Sequence, residues 1–227
     1  IGSPPKVAPS YGHVAPSEDP EVVLSLMQEA IDRCGYTDRM AFALDCASGE
    51  MYDSATATYY LKGGRVTSQE LITYARDLTE KFNFVFIEDL LEENDWDGYA
   101  RAVREIPKTI ILGDDLIATN LARLQRATAT RAVEGFVFKP NQVGTISEAL
   151  ETYEYAVQHG LIAVPSGRSG GVIDDVVMDL SVGLQVAFQK NGAPRSGERI
   201  EKLNFLMRAA DSIPDCSLAD VVSIVKF

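Results

Sequence analysis

Short apolar runs that end in charge recur along this chain. Ala41-Phe42-Ala43-Leu44 leads into Asp45, Phe84-Val85-Phe86-Ile87 into Glu88 and Asp89, and Ile110-Ile111-Leu112-Gly113 into Asp114 and Asp115. Phe136-Val137-Phe138 meets Lys139, Leu161-Ile162-Ala163-Val164 precedes Ser166 and Arg168, and Leu184-Gln185-Val186-Ala187-Phe188-Gln189 ends at Lys190. Unbroken apolar runs of this length predict strands buried on both faces. A charged group at the end of such a strand is costly unless a site uses it.

Between the runs the apolar period changes to that of a helix. Val22, Val23, Leu26, Met27, Ala30 and Ile31 predict a first helix from Pro20, with Ser17 to Asp19 as capping candidates and Gly35 as its stop. Thr67-Ser68-Gln69-Glu70 reads as a capping box opening a helix through Leu71, Ile72, Ala75 and Leu78. Further helices are predicted through Trp96 to Val103, through Leu121 to Ala129, and over 147–159, 174–182 and 198–210. Gly63-Gly64 marks a turn in a hairpin excursion between Met51 and Arg65. Residues 217–227 read as a further short apolar helix or strand with no assigned place.

Alternating strands and helices with short connections imply parallel strands and right-handed crossovers. The predicted fold class is therefore α/β, a TIM-type (β/α) barrel, in which the polar strand ends gather on one rim. Six βα units can be counted, two short of closure, and a complete barrel takes about 250 residues where this chain has 227. The chain also opens Ile1-Gly2-Ser3-Pro4-Pro5 without a methionine. These features predict a fragment of a longer protein: a proline-rich arm over 1–20, then a partial barrel over 21–227.

A net charge of −12 argues against nucleic acid or an anionic membrane as the main partner, since both select a positive surface. No apolar run approaches the roughly 20 residues of a membrane span, and no signal peptide is visible. Cys34, Cys46 and Cys216 are scattered, without metal-ligand spacing. They fit reduced thiols, and the expected location is the cytoplasm.

Asp45, Glu88 and Asp114 come from three successive strand ends. On a barrel rim their tips would converge, and three adjacent carboxylates do not all stay ionised without a cation. A hard divalent ion with oxygen ligands, Mg²⁺ foremost, resolves the repulsion. The alternative is that each carboxylate caps a helix or pairs with a Lys or Arg. Lys139 and Lys190 face this acidic arc, and a lysine beside a bound dication is pushed toward its neutral, proton-accepting form. Its alternative is a salt bridge to the carboxylates with no metal. Ser166-Gly167-Arg168-Ser169-Gly170-Gly171 precedes a predicted helix and offers backbone N–H groups, a hydroxyl and a guanidinium to an anion.

From Gly2 to about Arg208 the chain resembles the C-terminal barrel of the enolase family. The resemblance is carried by Leu44-Asp45-Cys46-Ala47-Ser48, Ile87-Glu88-Asp89, Gly113-Asp114-Asp115-Leu116, Lys139-Pro140-Asn141-Gln142-Val143-Gly144-Thr145, Arg168-Ser169-Gly170 and Lys190 to Arg199, in the family's order. It implies a lyase that interconverts 2-phosphoglycerate and phosphoenolpyruvate in glycolysis, with Asp45, Glu88 and Asp114 as Mg²⁺ ligands. It further implies Lys139 as the base that removes the proton alpha to the carboxylate. By the same resemblance Lys190 helps hold that carboxylate, Arg168 and Ser169 hold the phosphate, and the full-length protein is a homodimer. A Lys or His base with one or two Mg²⁺ is the general pattern of this superfamily.

The chain also departs from the pattern. The family's Gly-Asp-Glu-Gly-Gly loop appears as Gly2-Ser3-Pro4-Pro5-Lys6, so Pro4 replaces the glutamate that assists departure of the hydroxyl. The family's Ser-His-Arg-Ser-Gly-Glu becomes Ser166 to Gly171 with Gly167 in place of histidine, and Leu90 stands where proline is usual. The family's N-terminal lid domain and first two barrel strands have no counterpart in these residues. An enolase-like binding or structural protein with a degraded catalytic site is thus the competing expectation, and this chain alone is expected to be inactive.

Overall fold

The structure, a computed structural model, describes residues 6–8 and 12–227. Pro4 and its neighbours in the expected loop therefore lie outside the described residues. Within the proline-rich arm, the described residues before Asp19 hold one antiparallel bridge between Val7 and His13.

The chain then forms α1 (Pro20–Arg33), β1 (Phe42–Asp45), β2 (Tyr52–Asp53), β3 (Thr58–Leu61), β4 (Gly64–Val66), α2 (Ser68–Thr79) and β5 (Phe84–Glu88). It continues with α3 (Trp96–Glu105), β6 (Ile110–Gly113), α4 (Leu121–Thr130), β7 (Gly135–Phe138), α5 (Pro140–Val143) and α6 (Ile146–Gln158). Last come β8 (Ile162–Pro165), α7 (Val177–Gly183) and α8 (Gly197–Ser212). β1, β5, β6, β7 and β8 make one parallel sheet in that order, and β2, β3 and β4 make the separate antiparallel excursion. The result is the expected α/β architecture as a five-stranded half-barrel.

Local chemistry explains the element boundaries. Asp19 caps α1 by accepting the Glu21 N–H at 3.1 Å, and Thr67 with Glu70 closes the capping box of α2 in both directions. β6 and β7 are buried at every position, as strands covered on both faces must be. On one face, Ile87, Ile111, Phe136 and Phe138 pack with Ile72 of α2, Tyr99 of α3, Leu124 of α4 and Ala156 of α6. On the other, Phe86, Ile110, Leu112 and Val164 form a smaller cluster.

Two expectations change, and α1 forms as expected but with little of it covered. The run 184–189 does not form a sixth strand: α7 extends to Gly183, Gln185 takes φ 53°, and only a parallel bridge of Ser166 with Lys190 remains. Among the described residues no strand lies beyond that run to pair with its far side, so a ladder there has one neighbour only. The apolar stripe of α1 largely faces solvent, with Val22, Leu26 and Met27 exposed and Leu24 the helix's buried residue. Residues 217–227 are neither helix nor strand. A turn from Val221 sends Ile224 against the smaller apolar cluster, while Lys226 donates to the Thr109 carbonyl at 3.2 Å and pairs with Glu134. No helix among the described residues is long and apolar enough to cross a membrane.

Candidate functional site

Parallel register brings the site together. Asp45 lies opposite Glu88 at the ends of β1 and β5, and Asp114 immediately follows β6. Lys139 follows β7, and the bridge to Ser166 places Lys190 beyond β8. All five therefore stand at the carboxyl ends of the strands, where a (β/α) sheet presents its chemistry.

Two charge clusters share this rim. In one, Lys190 Nζ donates to Asp45 Oδ2 at 2.6 Å and to both oxygens of Glu88 at 2.7 and 2.8 Å. In the other, Lys139 Nζ pairs with Asp114 Oδ2, and Gln142 Nε2 donates to Asp114 Oδ1 at 2.9 Å. The Lys139 N–H is fixed by Thr119 Oγ1 at 2.9 Å, and that hydroxyl donates to Gln142 Oε1 at 2.8 Å. One small network thus orients both partners of Asp114.

Glu88 is 1% exposed, and its carboxyl is pushed up to about 7. Burial is the main cause; the Lys190 ammonium opposes it, while the charges of Asp45 and Asp114 add to the rise. Burial also works to lower the Lys190 ammonium, but Glu88 and Asp45 outweigh it and the net direction is up. Lys190 is therefore held charged in this arrangement, acting as a counter-ion.

Asp89 was passed over as a site candidate, though it directly follows Glu88. Its backbone sits at φ 46°, which swings the carboxylate under the end of β6. There it accepts the N–H groups of Asp114 at 2.8 Å and Asp115 at 3.0 Å. Burial lifts its carboxyl to about 6 against those hydrogen bonds. Gln142 is the other residue missed, although it lies in the Lys139 to Thr145 motif.

Glu88, Asp89 and Asp114 each offer an oxygen within 4.8 Å of the others. Asp45 reaches this group through Lys190. Buried Glu88, Asp89 and Asp114, with exposed Asp45 beside them, outnumber the two ammonium groups that neutralise them, and carboxylates in excess of cations suit a hard divalent ion. The donor set therefore fits such an ion, and the lysines' contacts are where added positive charge would compete. Arg168 and Ser169 are exposed on the loop after β8, and their side chains make no hydrogen bond or ion pair among the described residues.

Comparison with known proteins bears on the same rim. Residues 6–222 match the family model described as "Enolase, C-terminal TIM barrel domain". The chain is 36% identical over 202 residues to the protein named Enolase in Methanococcus aeolicus, covering 89% of this chain and 48% of that one. It is 38% identical over 197 residues to Enolase of Methanocaldococcus jannaschii, covering 87% and 46%. With Enolase of Corynebacterium kroppenstedtii the identity is 36% over 211 residues, covering 91% and 49%. The chain spans about half the length of these curated relatives. On the strength of the matched residues and of the parallel half-barrel they build, the chain belongs to the enolase family, as a C-terminal TIM-barrel domain.

Proposed function

We propose that this chain carries the metal-binding and proton-abstracting part of an enolase-type lyase, which in the full-length protein interconverts 2-phosphoglycerate and phosphoenolpyruvate plus water. The observation that carries the reading is the paired arrangement of Lys139 on Asp114 and Lys190 on Glu88 and Asp45 at one strand-end rim. Asp45, Glu88 and Asp114 would hold Mg²⁺, with Asp89 close enough to contribute or to brace the set. Bound there, the ion supplies Lewis-acid stabilisation of the charge that builds on the substrate carboxylate.

Each protein group then has a stated task. Lys139, freed from Asp114, takes the proton alpha to the carboxylate at its Nζ. Thr119 fixes the Lys139 main chain and Gln142 keeps hold of Asp114. Lys190 holds the carboxylate through its ammonium, a role that suits a lysine kept charged by its neighbours. Arg168 and Ser169, with no side-chain partner of their own among the described residues, hold the phosphate. The expected setting is the cytoplasm, with a homodimer as the assembly of the full-length protein.

A second reading is favoured by Gly167, which brings no acid or base to a position where the family pattern has histidine. On that reading the protein keeps the rim and binds without turnover. Two assays on the full-length protein separate the readings. A coupled assay follows phosphoenolpyruvate, and loss of the alpha proton of 2-phosphoglycerate to deuterated solvent follows Lys139 alone. Turnover abolished by Lys139→Ala supports the lyase. Proton exchange without phosphoenolpyruvate places the defect at hydroxide departure. Mg²⁺ binding with neither signal leaves the binding protein.

A further inference from the structure

α8 is built inside out. It buries Lys202, 3% exposed, and turns Ile200, Leu203 and Met207 to solvent. A lysine is almost never fully buried without a full set of partners. The Lys202 ammonium lies 3.3 Å from Asp175 Oδ2, yet its Nζ makes no hydrogen bond among the described residues. Glu198 and Asp175 line the same cleft between α7 and α8.

The other side of Lys202 faces the loop after β8. A Cβ placed on Gly167 would fall 2.6 Å from its Cε and 3.7 Å from its Nζ, and one on Gly171 would fall 3.9 Å from that Nζ. The lysine tip thus occupies space that side chains at 167 and 171 would need. These two glycines bracket Arg168 and Ser169. A buried ammonium with open donor positions therefore sits directly behind a loop whose guanidinium and hydroxyl have no protein partner.

We propose that Lys202 is a third cationic element of this anion site, its ammonium completing its hydrogen bonds on an oxygen of a phosphate monoester held by Arg168 and Ser169. The two glycines let the lysine tip lie directly against the backbone of the loop that carries Arg168 and Ser169. On its other side Lys202 borders a cleft lined by Asp174, Asp175, Asp179, Glu198 and Glu201, so a phosphate must compete with these carboxylates for the ammonium. The inference rests on the Arg168–Ser169 phosphate reading and adds a residue to it.

Inorganic phosphate titrated into the protein by calorimetry is the test, with Lys202→Met, Lys202→Arg and Arg168→Ala alongside the parent chain. Lys202→Met is expected to weaken binding about tenfold or more, the usual scale for losing a charge-assisted contact. Lys202→Arg should recover part of the loss. Because removing a buried lysine can itself unfold the chain, the Nζ resonance of Lys202 in the parent protein gives a second readout: added phosphate should shift it. Undiminished binding in folded Lys202→Met, or an Nζ signal that ignores phosphate while Arg168→Ala abolishes binding, overturns the role of Lys202 and leaves the Arg168–Ser169 reading standing. Failure of the parent chain to bind phosphate overturns both.

Discussion

Glu88 makes the cation-free protein sensitive to pH in an unusual direction. Its carboxyl rises from an ordinary 4.5 to about 7 on folding, so between those values the folded chain holds a proton that the unfolded chain has released. Stability must then fall as pH rises through that window, opposite to a salt-bridged carboxylate with a depressed value. At 1.36 kcal/mol per unit, the Glu88 component between pH 5 and pH 8 amounts to about 2.5 kcal/mol. For a domain of this size that is a shift in Tm of about 5–10 °C. The assay is thermal or urea unfolding in chelator at pH 5 and pH 8, for the parent and for Glu88→Gln. The variant stays neutral throughout and should lack this component, while acid effects from other carboxylates cancel in the difference. Identical pH dependence in the two proteins would refute the account of Glu88 as a buried carboxyl destabilised by desolvation.

Four further outcomes follow from the same geometry. Asp114→Asn should weaken Mg²⁺ binding by about tenfold or more in calorimetry, as loss of a charged oxygen ligand from a hard-ion site requires, and unchanged affinity removes Asp114 from the ligand set. Millimolar Mg²⁺ should flatten the pH dependence described for Glu88, because binding to the ionised folded form adds stability by mass action. Lys190→Met leaves Glu88 without its ammonium and should cost about 3 kcal/mol in chelator at pH 8 by urea unfolding, with a smaller loss at pH 5. Gly135→Ala sets a Cβ 2.3 Å from the Ile162 carbonyl oxygen on β8; prying the two strands apart should cost about 2–3 kcal/mol, read from the same denaturation curves.

The strands β1, β5, β6, β7 and β8 were legible because each is a continuous apolar run, and their charged ends told which rim carries the chemistry. Period alone could not decide the run 184–189. It is as apolar as the others, but a strand needs neighbours and a sequence does not say whether they exist. The stripe on α1 marked a helix and said nothing of how much of it would be covered. The half-barrel covers Leu24 and part of Ile31, and leaves Val22, Leu26 and Met27 exposed.

At the site, Lys139, Glu88, Asp114 and Asp45 were identifiable from their positions at strand ends, and Lys190 from an apolar run that forms only a single bridge. How they divide was not. Which lysine pairs with which carboxylate depends on side-chain reach across β5 and β6, and Asp89 enters through a left-handed backbone that leaves no mark in composition. Lys202 was hidden more deeply. In sequence it is an ordinary charge on a helix, and only the space beside Gly167 reveals that its aliphatic stem runs inward.

After a one-residue slip between Phe42 and Ala43, β1 and β5 run level to Asp45 beside Glu88, and that stretch turns strand length into a ruler. One residue inserted between Phe86 and Glu88, beyond that slip, would carry Glu88 past Asp45 and rotate it to the opposite side of the sheet, parting it from Lys190. The same insertion in the connection from β8 to α7 would move none of these groups. The pairing of Asp45 with Glu88 is therefore indifferent to length in that connection and ruined by a change of length in the last residues of β5.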